Sequence, residues 1–372
     1  MKINAEKMFI PEFLEGKFCI KEENGVITEI ENGFCDDAIN GRPFYVAPGF
    51  VDVHIHGFGG SDISEGSVDA LFNISKSLAK TGTANFLPTF VAIPFNELKK
   101  IIESLTPILK KAKGSFPLGF HIEGGFVNRN KCGAMNPRYF LNPSIQYAEE
   151  LIYYKSVKMF TVAPELNGAI DVIAFLKNRG VAVSIGHTEA NFETARSAFL
   201  AGAESITHLF NAMPHFHHRD TGVIGAAFSL PFYLQFIGDG VHTSREVFKI
   251  MHLVKERVAL ITDSTEAGGM PKGKYMLGDY EIFTDGISAR LEDGTLAGSV
   301  LSMDRGVRNL IRFGGFSREE AIRAATEIPA RSIGEFSMGK IKKGAYSDFV
   351  FLDENFEVKM TISKGRVIYD AR

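Results

Sequence analysis

Short apolar runs alternating with stretches of helical periodicity constrain this chain more than any other feature. The runs at 50–55, 84–90, 118–122, 157–162, 181–185, 204–209, 233–237 and 258–262 are rich in β-branched and aromatic residues and read as strands. Helical stretches lie between most of them, at 67–80, 94–112, 145–155, 167–179, 191–201 and 243–255. Two more, 302–313 and 317–326, follow the last run. Eight β/α alternations predict an α/β chain closed into a TIM (β/α)8 barrel rather than an open doubly wound sheet. The absence of G-x-G-x-x-G after the first run weakens the dinucleotide-binding alternative.

The two ends read differently. Residues 1–46 carry short runs punctuated by Glu23-Asn24-Gly25 and Asn32-Gly33, which are hairpin signals. Residues 348–352, 358–362 and 366–369 are strand-like and separated by turn residues. A small β-sandwich built from 1–47 and 340–372 is therefore expected beside a barrel domain over 48–339. Residues 271–300, dense in Gly-Asp and Asp-Gly pairs, predict a hairpin insertion after the eighth strand.

At 372 residues and 45% hydrophobic, the chain has material for a large core and a small second domain. A net charge of −3, from 41 basic and 44 acidic residues without a basic block, points to neither nucleic acid nor an anionic membrane. Small polar or anionic ligands stay open. Cys19, Cys35 and Cys132 are odd in number and lack C-x-x-C spacing, which argues against a disulfide framework and a zinc ribbon and makes a reducing cytoplasm the default. Charged residues break up the first twenty positions, and no window approaches a membrane span, so a soluble, unprocessed chain is expected.

The polar residues that end the apolar runs carry the chemistry. Run one ends in His54 and His56, on one face by period 2; run three in Glu123; run five in His187; run six in His208; run seven in Asp239 and His242; run eight in Asp263. Carboxyl ends of barrel strands converge on one mouth, where active sites sit. A lone histidine there is more often a satisfied core residue, but here several meet. Carboxylates at the ends of buried strands are costly unless a cation or donors compensate them, and a divalent metal would do so. A carboxylate with two histidines leaves a metal position open for water, whose pKa the metal lowers. Asp263 would then accept the proton and pass it to a leaving amine, which suits hydrolysis of an amide or similar C–N bond. His121, deeper on the face of Glu123, reads as supporting or packing, and His252 as an ordinary helix residue. No G-x-S-x-G elbow and no strand-end cysteine favours a covalent nucleophile.

Pro48-Gly49-Phe50-Val51-Asp52-Val53-His54-Ile55-His56-Gly57, closed at the far end by Gly339-Lys340-Ile341 through Asp348-Phe349-Val350, resembles the amidohydrolase superfamily. Gly186-His187-Thr188, Thr207-His208-Leu209-Phe210-Asn211-Ala212-Met213-Pro214, His217-His218-Arg219 and Leu296-Ala297-Gly298-Ser299 are similar to its branch that deacetylates N-acetylglucosamine 6-phosphate. The resemblance runs nearly end to end. It implies that Glu123, His187 and His208 hold the main metal and that Asp263 is the acid-base group. His54 and His56 would seat a second metal bridged by Glu123. It further implies that Asn211, Ala212, His242, Ala134, Leu296, Ala297 and Gly298 meet the phosphorylated amino sugar and that Arg219 pairs with its phosphate. One or two divalent cations per chain are expected, zinc first, with iron, manganese or cobalt as options. A homodimer or higher homo-oligomer is implied by the family, in which some sugar and phosphate contacts lie near the subunit interface. Met135 departs from the family, where histidine is frequent, and Glu266 brings a charge where small residues are usual. The alternatives are an N-acetylgalactosamine 6-phosphate or N-acyl amino acid substrate, or a silent scaffold.

Overall fold

The computed structural model describes residues 1–10 and 12–372. In the N-terminal part, β1 (Lys2–Phe9), β2 (Phe13–Glu23), β3 (Val26–Asn32), β4 (Ile39–Asn40) and β5 (Tyr45–Pro48) precede the barrel. The β2–β3 turn puts Asn24 and Gly25 at φ 52° and 79°, the left-handed pair that a two-residue hairpin turn requires.

The barrel strands are β6 (Phe50–Ile55), β7 (Thr83–Phe90), the short β8 (Phe116–Pro117), β9 (Phe120–Ile122), β10 (Val157–Val162), β11 (Ala182–Ile185), β12 (Ser205–Ile206), β13 (Tyr233–Ile237) and β14 (Val258–Ile261). Eight of them lie in parallel in the order β14-β13-β12-β11-β10-β9-β7-β6, with β8 beside β7. First and last strands meet through backbone: Asp263 N–H donates to His54 O at 2.9 Å, and the N–H groups of His56 and Gly57 donate to Ser264 O at 2.9 and 3.0 Å. The expected α/β barrel is thus present, nearly closed at the carboxyl end.

Helices pack outside it by ordinary amphipathic logic. Val68–Leu78 buries Ala70, Leu71, Ile74 and Leu78, and its cap, Ser67, accepts the Ala70 N–H at 3.0 Å, a bond worth about 1 kcal/mol. Two helices escape the sequence reading. Gly222–Ser229 is apolar nearly all round, so it shows no stripe, and Glu327–Ser332 contains Pro329.

After β14 come β15 (Gly273–Leu277), β16 (Tyr280–Thr284) and β17 (Ala289–Arg290), a three-stranded antiparallel flap where a hairpin insertion was expected. The chain ends in β18 (Phe349–Leu352), β19 (Val358–Ser363) and β20 (Arg366–Asp370), which join the N-terminal strands in one sheet, β20-β19-β18-β5-β1-β2-β3 with β4 on β1. Val350 pairs with Ala47 and Ile3 with Ile20, and Ile3, Met8, Ile20, Val46, Phe349 and Phe351 form its own core.

One expectation is corrected here. Cys19 and Cys35 form a disulfide, with Cα atoms 5.6 Å apart. Asn4 pairs with Cys19 across β1 and β2, and its side chain holds both the N–H and the carbonyl of Cys35 at 2.9 Å, which sets one cysteine over the other. Cysteine spacing therefore no longer argues for a reducing compartment. Cys132 is free, and no helix among the described residues is long and apolar enough to cross a membrane.

Candidate active site

Each strand end delivers its polar side chain to the carboxyl mouth. Asp52, His54 and His56 share one face of β6 and its end, all buried. Glu123 follows β9, where its N–H donates to Phe90 O at 3.1 Å. The next residue must be small: a Cβ on Gly124 would fall 2.0 Å from Ala92 N. His187, His208 and Asp263 leave their strands with φ of 46°, 28° and 50°. Left-handed backbone is unusual for a residue with a side chain, and at a strand end it turns that side chain into the mouth.

The result is a compact cluster. Glu123 Oε1 lies 3.1 Å from His187 Nε2, 3.0 Å from His208 Nε2 and 3.3 Å from His54 Nε2, while Oε2 lies 3.3 Å from His56 Nε2. Asp263 Oδ1 is 3.3 Å from His54 Nε2 and 3.1 Å from His56 Nε2. Two groups of three donors, Glu123/His187/His208 and His54/His56/Asp263, each sit within the span of a metal coordination sphere.

Hydrogen bonds on the far side of the rings fix their tautomers. The Nδ1–H of His54 donates to Gln235 Oε1 at 3.0 Å, that of His56 to Thr89 O at 2.9 Å and that of His187 to Lys131 O at 2.7 Å. Each proton so placed leaves Nε2 with a lone pair pointing inward. His187 Nε2 and His208 Nε2 are 3.0 Å apart, and both face the same carboxylate oxygen. Lone pairs converging in a buried space repel unless a cation or protons lie among them, so these donors fit a divalent metal. Electrostatics agree. Where protons take a metal's place on Nε2, burial pushes Glu123 up, but the His54 charge and the bonds from His187 and His208 outweigh it and hold the carboxyl well below its usual range. Burial likewise opposes ionisation of Asp263, and the neighbouring His54 and His56 bring it down to about 2. Both groups are anionic, and metal and protons compete to neutralise them.

A cavity of about 330 Å³ opens over the cluster. His56, Glu123, His187, His208 and Asp263 line it with the expected Ala134, Asn211, Ala212, His242, Leu296 and Gly298. His242 is braced by Asp239 Oδ2 at 2.7 Å. Three expected residues do not line it. His54 is fully buried behind the others, and Ala297 is fully buried with its N–H on Ala289 O at 3.0 Å. Arg219 lies on an exposed loop, its Nη1 donating to His218 Nε2 at 2.7 Å. His121 is a supporting residue, with Nε2 2.8 Å from Thr161 Oγ1, and His252 pairs with Glu320 on the outside.

The sequence reading missed Val91, Asn130, Lys131, Leu277 and Thr295 in the wall. Leu277 arrives from β15, so the flap closes one side of the site. Lys131 acts on His187 through its backbone carbonyl, which carries no residue-type signal.

A (β/α)8 barrel with buried histidines and carboxylates converging under a mouth cavity defines a hydrolase of the metal-using class. Residues 45–368 match the amidohydrolase family model, and the chain belongs to the amidohydrolase family. Its relatives narrow that class. The chain is 34% identical over 362 residues to the N-acetylglucosamine-6-phosphate deacetylase of Vibrio furnissii, covering 94% of this chain and 90% of that one. It is 32% identical over 328 residues to the N-acetylgalactosamine-6-phosphate deacetylase of Escherichia coli O157:H7, covering 87% of each. A mutant N-acetyl-D-glucosamine-6-phosphate deacetylase of Mycobacterium smegmatis, solved in complex with N-acetyl-D-glucosamine-6-phosphate, superposes with a TM-score of 0.92 at 29% identity, over 99% of both chains.

Proposed function

We propose that this chain is a divalent-metal-dependent deacetylase that hydrolyses N-acetyl-D-glucosamine 6-phosphate to D-glucosamine 6-phosphate and acetate. The observation that carries the reading is Asp263, an anionic carboxylate 3.1 Å from His56 Nε2 that lines the mouth cavity together with Glu123, His187 and His208. Glu123, His187 and His208 would hold the main metal, and His54 and His56 a second, bridged by Glu123. When bound, such a metal polarises an acyl carbonyl and acidifies water. Asp263 accepts the proton of the attacking water and returns it to the amine nitrogen as the C–N bond breaks. Met135 lines the cavity, and a thioether donates no hydrogen bond, so this wall offers the carbonyl no donor from that position. Asn211, Ala212 and His242, which line the cavity, would meet the sugar, with Ala134, Leu296 and Gly298 closing around it.

Arg219 enters the reading through a second copy. Its guanidinium suits a phosphate, and the residue is exposed and does not line its own chain's cavity. We therefore infer a homodimer or higher homo-oligomer in which this loop serves a neighbour's mouth. Zinc is the metal proposed, and the cytoplasm the location, since a charged sugar phosphate stays on its own side of a membrane. The galactosamine epimer is the second reading, favoured by the Escherichia coli relative.

Acetate release from a panel of phosphorylated and free N-acetyl sugars, with metal content measured on the same sample, tests all of this. Turnover of N-acetylglucosamine 6-phosphate well above its epimer and its unphosphorylated form is the expected result. Equal turnover of free N-acetylglucosamine, or an Arg219→Ala variant with unchanged KM, overturns the sugar-phosphate assignment.

A further inference from the structure

Glu165 stands in the loop after β10 and does not line the mouth cavity, yet three donors converge on its carboxylate. Its Oε1 accepts the Glu189 N–H at 2.6 Å and an Asn128 Nδ2–H at 2.8 Å, and its Oε2 accepts the hydroxyl of Thr188. These donors flank His187 on two sides. Thr188 and Glu189 follow it in the chain, and Asn128 belongs to the loop after β9 that carries the partner of its ring.

His187 needs such a hold. Its φ is 46°, a conformation that a residue with a side chain keeps only where its surroundings enforce it. Its carbonyl accepts the Asn128 N–H at 2.9 Å, and the next N–H, that of Thr188, donates to Ala212 O at 3.1 Å. Glu165 grips both ends of this arrangement. Through Thr188 and Glu189 it fixes the chain that leaves His187. Through Asn128 it fixes the short turn Arg129–Lys131, where Asn128 Oδ1 accepts the Asn130 N–H at 2.9 Å and Asn128 O accepts the Lys131 N–H at 3.0 Å. That turn presents the Lys131 carbonyl to the His187 Nδ1–H at 2.7 Å. One side chain therefore sets the backbone of His187 and the direction of its ring together. A carboxylate suits the task, because it offers two acceptor oxygens where an amide offers one, and its charge strengthens each bond. Thr188 is oriented to donate, since its Oγ1 already accepts the Ala190 N–H at 2.9 Å.

We propose that Glu165 is a positioning residue for His187, holding its Nε2 where it meets Glu123 Oε1 and His208 Nε2, and that affinity for the ion depends on it. The proposal rests on the reading of Glu123, His187 and His208 as the metal-holding group. Without Glu165, His187 is free to leave the left-handed region, and its Nε2 then swings away from Glu123.

The test exchanges the resident metal of the full-length protein for cobalt(II). It reads the visible absorption of the bound ion, its dissociation constant against a chelator, Tm and acetate release. Glu165→Ala should weaken cobalt binding about 10- to 100-fold, alter the spectrum and lower kcat by a similar factor. Glu165→Gln keeps an oxygen toward Asn128 and Glu189 and turns its amide to the Thr188 oxygen, so it should recover most of that loss. Thr188→Val removes one donor at nearly constant shape and should fall between the parent and Glu165→Ala. These two variants carry the test if the alanine variant does not fold. A lower Tm with the parent's spectrum and affinity reduces Glu165 to a brace of the fold and overturns the proposal. Thr188→Val equal to the parent, or Glu165→Gln bound no better than Glu165→Ala, overturns it too. A parent that takes up no cobalt overturns the metal reading and this proposal together. Because uptake is read without substrate, the result does not depend on which sugar is deacetylated.

Discussion

The two donor triads share Glu123 as a neighbour yet are built by different means. His54 and His56 come from an extended strand and its immediate end, and their rings are braced by Gln235 on β13 and Thr89 on β7, inside the barrel wall. His187 and His208 stand on left-handed backbone past their strands. One is braced by the carbonyl of Lys131 in a loop, and the Nδ1 of the other has no partner among the described residues. Left-handed residues cost on the order of 1–3 kcal/mol each and persist only where the surroundings enforce them. The His54/His56 pair is therefore preorganised by the core, while Asp263, which completes its triad, shares the left-handed backbone of His187 and His208. The Glu123/His187/His208 triad depends on the loops around the substrate cavity, and Asn128 N–H, bound to His187 O at 2.9 Å, ties that loop to it.

The contrast can be broken in order of effect. Glu123→Gln touches all four histidines and should bring metal below one per chain and turnover below detection, read by elemental analysis and acetate release. Asp263→Asn should keep the fold and most of the metal while kcat falls about 10³- to 10⁴-fold, because the proton acceptor is gone. Retained turnover would discard Asp263 as the acid-base group. The double change His54→Gln/His56→Asn should lower metal content from two to one per chain and kcat by about 10- to 100-fold. A count of one in the parent would make these histidines supporting donors only. Gln235→Met strips the acceptor from His54 alone. It should weaken metal retention in the braced triad about tenfold in a chelator competition and leave the other triad unmoved.

Much of this site was legible because its signal is categorical. A histidine or carboxylate that ends an apolar run is out of place, and Glu123, His187, His208 and Asp263 were each found on that ground. The barrel followed from the same runs, since strand spacing survives even where a helix hides. Gly222–Ser229 was hidden because a helix buried all round has no polar stripe. The contact between Cys19 and Cys35 is made by a side chain of β1, far from both in sequence, and spacing rules see only the cysteines. Arg219 was legible as a residue type, but its absence from the wall of its own cavity is a property of the folded loop.

The backbone bonds from Asp263 to His54 O and from His56 to Ser264 O carry a consequence of another kind. They are the weld by which a sheet becomes a tube, made between the barrel strands lying farthest apart along the chain. Candidate metal donors hang from that weld on both sides, His54 and His56 on one and Asp263 on the other. Loading His54, His56 and Asp263 with a cation would rivet it, so occupancy there should slow unfolding as well as support turnover. Maturation of the enzyme and the final closing of its barrel become one event, and a chain that has not joined its ends has no active site to expose.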